Sequence, residues 1–499
     1  MKRLLFLAVI STFFVFDVVG QNEAKFTIGP TSNTPIHWRN LLVKNNFLYS
    51  YNNSSINLFN LGNLKNEKSL EYKNLPEGAS IQGIQNLDEV DYIFYSITEK
   101  KANKLFVNPI NLETGELTGE KQFITEISTK KIPYNDRRYT DLGTLYDYYR
   151  IFKNASKTKI CVASRHQFFV FDKGMKLLWQ NEDLLGDIIS EKYHDKLCEI
   201  VQKDGTWFGV YKIYKSDNDL ETYKKQHNYT TEIIKIKDGK RDRTPIKELK
   251  DEYVNSINFF LREDGSINLL GAYKKAKDKS YIGGPFKLNM NSEGKFSNFK
   301  QYEIPLDIVY QTSRNIPKKT ATIPLTNISG INISNNNFFI VAERDISYDI
   351  NFSSSGGEVY GKGDIIVAKI NQNDELQWLK RAPKRQTHNG LNYLCDSYKY
   401  LFLNNKHYFV YMDSPKNKEL DITKGGHHCH VCGNGYLRAY TFDEDGTIGK
   451  RDIFDLTKNS TKTTYNYKLS LFKLSEEEFF FKIFTSNKEE ALVKINVKK

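Results

Sequence analysis

Five potential metal ligands crowd one short segment of this 499-residue chain. His427, His428, Cys429, His430 and Cys432 lie within six residues, between Gly426 and Gly433. Imidazole and thiolate suit Zn²⁺ or copper. The five stand too close together for all to reach one ion, so the expected set is Cys429, Cys432 and one or two of the histidines. Two other readings stay open. In an oxidising compartment Cys429 and Cys432 would close a small disulfide, or the segment would be an inert loop. No His follows Cys432, which argues against covalent haem attachment. The segment also lacks the strand–helix setting of a thioredoxin-like redox motif. Apart from a possible Zn or Cu ion here, no cofactor is expected.

Nothing else in the chain has the make-up of a catalytic set. His166 and His407 sit in strand-like runs and read as core histidines. Asp443 and Asp445 belong to a turn, where Asp is favoured for local hydrogen bonding. No glycine-rich loop precedes a helix to cradle phosphate. The expectation is a non-catalytic protein that binds through its loops. The long connections are basic or aromatic. Lys380, Arg381, Lys384 and Arg385 form one cluster, and Tyr348, Phe352 and Tyr360 are candidate anchors in another. Loops of this length are usually functional or disordered. Charge would aid encounter and the aromatic side chains would supply affinity. The expected partner is a protein complex of the cell envelope or an acidic glycan.

The elements that position these loops follow from a repeat. A polar turn centred on Gly62, Gly115, Gly174, Gly239, Gly294, Asp374 and Gly446 recurs at intervals of 53 to 80 residues, each time between alternating apolar runs. A period of that size marks a radially repeated fold. The clearest unit has four strands: 257–261, 267–270, 286–289 and 296–302. The recurring turn joins the third (C) to the fourth (D). Abundant Phe and Tyr favour strands, and no long stretch carries a helical period. Seven units are followed by an eighth with three strands, 467–471, 478–484 and 491–497. Lys25-Phe26-Thr27-Ile28 is otherwise unassigned and would supply the fourth, closing the ring and removing exposed edges. The fold class is therefore all-β, a single β-propeller of eight four-stranded blades closed by an N-terminal strand, with seven blades as the alternative. Antiparallel order then places B–C and D–A connections on one face and A–B and C–D turns on the other. The basic loops and the His/Cys segment share the face opposite the recurring turn.

Residues 1–20 read as a signal peptide. Met1-Lys2-Arg3 is basic, Leu4 to Phe16 is apolar but short for a membrane span, and cleavage before Gln21 leaves 21–499 as the propeller domain. No Cys precedes Cys161, which excludes a lipid anchor at this processing site, and no later run has the apolar length of a transmembrane segment. Removing Lys2, Arg3 and Asp17 takes the net charge from +12 to +11 (12 − 2 + 1). The expected location is exported, periplasmic or associated with the outer membrane. An exported protein rarely meets nucleic acid, so that class of partner is excluded. Cys161, Cys198 and Cys395 read as buried small hydrophobes.

Phe171-Asp172-Lys173-Gly174-Met175-Lys176-Leu177-Leu178-Trp179 resembles the docking repeat of quinoprotein-type eight-bladed propellers, roughly Asp, turn glycine, Leu, x, Trp. Leu376-Gln377-Trp378 is the second copy to keep the Trp. That superfamily includes quinone-dependent dehydrogenases and periplasmic scaffolds of outer-membrane assembly. The adjacent Cys-Cys pair that those dehydrogenases use against their cofactor is missing, which counts against the enzyme branch. The Leu and Trp are expected on one face of strand D, as core residues without a binding role. Runs such as Asp364 to Ile370 and Leu379 to Gln386 look like uncharacterised exported propeller-like proteins of Bacteroidota. That likeness implies an envelope location and no known chemistry.

Overall fold

Trp207–Tyr214 buries every side chain along its length. A strand buried on both faces must sit inside a sheet that is itself packed between two others. The computed structural model meets that demand with eight four-stranded antiparallel sheets arranged as a ring, an eight-bladed β-propeller. It describes residues 25–37, 40–128, 149–182, 194–215, 222–262, 266–303, 325–350, 357–389, 398–419, 429–430, 436–455 and 472–497, apart from short gaps at 155, 165–166, 224–225, 251, 276–283, 333–336, 404–405, 476 and 485–488.

Blades 1 to 7 span 41–71, 80–128, 150–181, 194–245, 252–301, 325–382 and 399–455. Blade 8 combines Phe472–Lys473, Glu478–Phe484 and Glu490–Asn496 with the N-terminal strand Lys25–Ile28, which pairs antiparallel through Lys25↔Asn496 and Ile28↔Val493. A clasp backs this closure. Glu490 accepts from the Ile36 amide, and Lys482 Nζ lies 2.7 Å from Glu490 Oε1 and donates to Ile36 O at 3.0 Å.

The first strands of blades 1 and 2, 2 and 3, 4 and 5, and 5 and 6 lie against one another, which places them on the axis side of the ring. The core is divided among the seams between blades. Leu270 and Ala272 of blade 5 pack on Phe338 and Ile340 of blade 6, and Phe208 and Val210 of blade 4 pack on Leu269 and Phe286 of blade 5. Each such large apolar side chain contributes about 1.5–3 kcal/mol by leaving water.

The recurring turn is built as a type I turn followed by a left-handed residue. Asp172, Asn291, Asn371 and Asp443 each accept from the amide three residues on and donate to the carbonyl four residues on. The left-handed position is held by Gly115, Gly294, Gly446 and Asp374, whereas the turn at Gly239 is a two-residue hairpin loop, Asp238-Gly239, with both residues left-handed. In the turns at Gly62 and Gly174 it falls instead on Leu64 and Met175, whose buried side chains offset the strain.

Six of the seven turns are held by the preceding blade through donors to the turn's backbone oxygens. Lys68 Nζ reaches Glu113 O (2.8 Å), Tyr92 OH reaches Lys173 O (2.9 Å) and Asn181 Nδ2 reaches Gly239 O (3.0 Å). Lys235 Nζ reaches Glu293 O (3.3 Å), Tyr302 OH reaches Asp374 O (3.2 Å) and Lys369 Nζ reaches Glu444 O (2.7 Å). The two Trp residues serve the same end. Trp378 Nε1 donates to Glu444 O at 3.2 Å and its ring covers Gly446, while Trp179 lies against Gly205. The expectation that each Leu shares a face with its Trp is corrected. A bulge separates them, at Val170/Phe171 and at Lys369/Ile370 in the partner strands. Leu177 and Leu376 are consequently exposed (41% and 38%).

Candidate functional site

The two insertions that widen the repeat meet in one sheet. In blade 6 the B and C strands, Phe338–Ile350 and Gly357–Ile370, run past the blade body and stay paired out to Ile350↔Gly357. The long connection that carries Tyr348 and Tyr360, expected as a loop, is thus a paired two-stranded ladder from Asp345↔Lys362 to Ile350↔Gly357. Strand D behaves similarly. Leu376–Ala382 pairs along the blade body, Pro383 to Arg385 interrupts it, and Gln386–Asn389 pairs along the protruding part through Lys362↔Gln386 and Tyr360↔His388. Proline breaks the ladder there because it has no amide hydrogen. Cys429–His430, carried by the long B–C connection of blade 7, then joins as a further parallel strand, Cys429↔Gln386 and Thr387↔His430. This extended sheet, the crest, stands on the loop face.

Buried charges plant the crest. Lys384 Nζ lies 2.8 Å from Glu343 Oε1, both side chains fully buried, and donates to Gln386 Oε1 at 2.6 Å. Gln386 Nε2 donates to Met412 O at 3.0 Å, which fixes the crest to blade 7. The Lys384 amide donates to Asp364 Oδ1 at 3.1 Å, and Arg381 Nε lies 3.2 Å from Asp364 Oδ2. In blade 7, buried Arg438 pairs with Asp413 (2.5 Å) and Asp452 (2.6 Å) and donates to Asn417 O at 2.8 Å. This holds the short helical turn Pro415–Asn417 from which the His/Cys connection departs. Burial works to lower the Arg438 pKa, but the Asp452 and Asp413 carboxylates hold it above its ordinary value. Burial pushes Tyr440 up to about 12 and Tyr411 well above its usual range, so both phenols stay neutral.

The basic cluster therefore divides. Lys380 is exposed and Arg385 partly so, but Arg381 and Lys384 are buried partners of Asp364 and Glu343 and cannot meet a ligand at the surface. No short-range pattern announces this. Glu343 and Lys384 are 41 positions apart, and only blade pairing brings them together. Tyr348 stands opposite Val359 in the crest, and Tyr360 opposite Ser347 and His388. Phe352, His427, His428 and Cys432 lie outside the described residues, as do Cys395 and His166. Among the described residues no three His, Cys, Asp or Glu side chains are grouped to hold a metal. Cys161 and Cys198 are unpaired, and burial pushes the Cys161 thiol up to about 12 and that of Cys198 well above its usual value. Both are thus inert thiols. Among the described residues no helix is long and apolar enough to cross a membrane.

No protein-family model and no curated protein matches the chain. Solved structures do. The WD40 domain of SCAP from fission yeast is 10% identical over 95% of this chain and 98% of its own, with a TM-score of 0.39. A protein of unknown function from Dyadobacter fermentans is 11% identical over 70% and 94% (TM-score 0.32), and hydrazine synthase of Kuenenia stuttgartiensis 12% over 63% and 78% (TM-score 0.30). None reaches 0.5, so the propeller assignment rests on the eight sheets of this chain, and no activity carries across.

Proposed function

We propose that this protein is a non-catalytic propeller of the cell envelope, exported through its N-terminal signal, whose crest captures a protein partner or an acidic glycan. The observation that carries the reading is the crest itself. The blade bodies are packed seam to seam, whereas the two insertions merge into one protruding sheet stiffened by buried ion pairs. A rigid platform loses little freedom on binding. Lys380 and Arg385, with the exposed Lys416 and Lys418 nearby, supply positive charge beside it. A propeller body is consistent with an interaction scaffold. The test replaces residues 346–361 with a two-residue turn and compares recovery of partners from native envelopes by mass spectrometry. The ring should keep its far-ultraviolet circular dichroism and lose its partners. Unchanged partner recovery would sink the proposal.

A zinc or copper site is the second reading. Pairing of Cys429–His430 with the strand bearing His388 favours it, because a further imidazole-bearing residue stands one position beyond the paired Thr387. Elemental analysis of wild type, Cys429→Ser and His388→Ala discriminates. Stoichiometric metal lost in both variants supports this reading, and a metal-free protein with an intact Cys429–Cys432 disulfide removes it.

A further inference from the structure

At the loop-face end of blade 5, two buried oxygens have no hydrogen-bond partner among the described residues. One is Oε2 of Glu252, whose other oxygen accepts from Gln301 Nε2 at 2.9 Å. The second is the hydroxyl of Tyr273, a residue only 2% exposed. Strand register makes them neighbours. Val254 pairs with Tyr273, so Glu252, two residues earlier, shares that face one diagonal step away.

A third acceptor is brought in by the chain leaving the blade. The Tyr273 ring packs edge-on against Phe286 at 6.5 Å, Phe286 pairs with Gln301, and the Tyr302 amide donates to Pro285 O at 2.9 Å. The approach is so close that a Cβ on Gly284 would lie 1.9 Å from Tyr302 O, so glycine is required there. Glu303 follows directly and is exposed. Burial first, then the charges of Glu252 and Glu303, push the Tyr273 phenol up to about 12, in keeping with all three groups converging.

A buried oxygen without a partner destabilises the fold unless something from outside supplies the missing bond. We propose that this notch binds a primary ammonium group, such as a lysine side chain of a partner, between Glu252 Oε2, the Tyr273 hydroxyl and the Glu303 carboxylate. Three acceptors match the three donors of an ammonium. Calcium takes roughly six to eight oxygens, far more than the notch offers. Guanidinium favours a two-oxygen fork, and Glu252 presents one oxygen, the other being committed to Gln301. Of the three, Glu303 is the one exposed to solvent. This assignment is independent of the crest.

The experiment titrates the mature protein with Nα-acetyl-lysine methylamide and with its norleucine counterpart, reading binding by calorimetry and thermal shift. The lysine probe should bind and the norleucine probe should not. Glu252→Gln and Tyr273→Phe should each weaken lysine binding tenfold or more. Tyr273→Phe should also raise the melting temperature of the ligand-free protein, because it removes an unpartnered hydroxyl, so its loss of binding cannot be laid to unfolding. Equal responses to the two probes, or full lysine binding by either variant, would overturn the proposal. A stabilised Tyr273→Phe beside a wild type blind to lysine would identify a water site and overturn it equally, as would a response to Ca²⁺ alone.

Discussion

Replacing Lys384 by Met should be among the most damaging single changes in the chain. The side chain is fully buried against Glu343, also fully buried, and it donates to the side-chain oxygen Oε1 of Gln386 at 2.6 Å. Removing the ammonium leaves the Glu343 carboxylate in the interior without its counter-charge. Breaking a buried pair from one side costs about 3–5 kcal/mol. The lost bond to Gln386 adds about 1 kcal/mol. Pairing Lys384→Met with Glu343→Leu removes both charges, and most of the loss should return. The expected coupling energy is at least about 2 kcal/mol, well beyond the few tenths seen between independent sites. Urea denaturation of the wild type, both single variants and the double variant gives the cycle. Hydrogen exchange across 345–350 and 357–362 adds a local readout. The single variant should lose protection in the crest and keep it in blades 1 to 3. Single-variant losses below about 1 kcal/mol, or strictly additive losses, would refute the view that this pair plants the crest.

Two further outcomes follow from the seams. His407, 1% exposed among Phe339, Tyr400 and Phe402, has its pKa lowered from 6.5 to about 4 by burial. The unfolded chain therefore takes up a proton first as pH falls. The contribution is intact above pH 6.5 and is lost progressively down to about pH 4, to the extent of roughly 3 kcal/mol. His407→Phe should flatten the stability–pH curve over that window, and an unchanged slope would show that other groups set it. Gly446→Ala should cost more than Gly294→Ala. Both positions are left-handed (φ +87° and +89°), but a Cβ at Gly446 would lie 3.0 Å from the Trp378 ring, whereas at Gly294 the nearest atom is 4.0 Å away. Strain of about 1–2 kcal/mol is common to both, so the difference in melting temperature isolates Trp378 docking. Equal losses would mean that the indole does not lock blade 6 to blade 7.

Much of the architecture was legible because it rests on local chemistry. Asn291, Asn371 and Asp443 announce their turns, since a side-chain oxygen or backbone bond two to four residues away needs no tertiary partner. Counting those turns gave seven blades, and the three strands left at the C-terminal end gave the eighth. The orphan segment Lys25–Ile28 was recognisable as the closing strand because blade 8 lacked one. Side-chain roles were harder. Trp179 and Trp378 read as core residues and do pack in the seams, where they also cover glycines of the next blade, a role the sequence did not show. Leu177 and Leu376 read as their companions in the core, yet a one-residue bulge turns them outward. Arg381 and Lys384 read as surface charge, the usual fate of such residues. The acceptors that bury them, Asp364 and Glu343, lie on the neighbouring C strand and on strand B beyond it.

The sequence by itself determined the repeated four-stranded unit, its antiparallel order and the face on which the long connections emerge, and it narrowed the ring to seven or eight blades. Alternation and turn chemistry act over a few residues, and antiparallel order propagates their consequences around the ring. Only the tertiary structure decided which of those connections meet. The protruding hairpin of blade 6, the strand resumed at Gln386 and the Cys429–His430 strand come from three separated stretches of chain. Their joining depends on backbone hydrogen bonds between blades, for which neighbouring residues along the chain carry no signal. The same holds for the unpartnered oxygens of Glu252 and Tyr273, which are 21 residues apart in sequence and one diagonal step apart in the sheet.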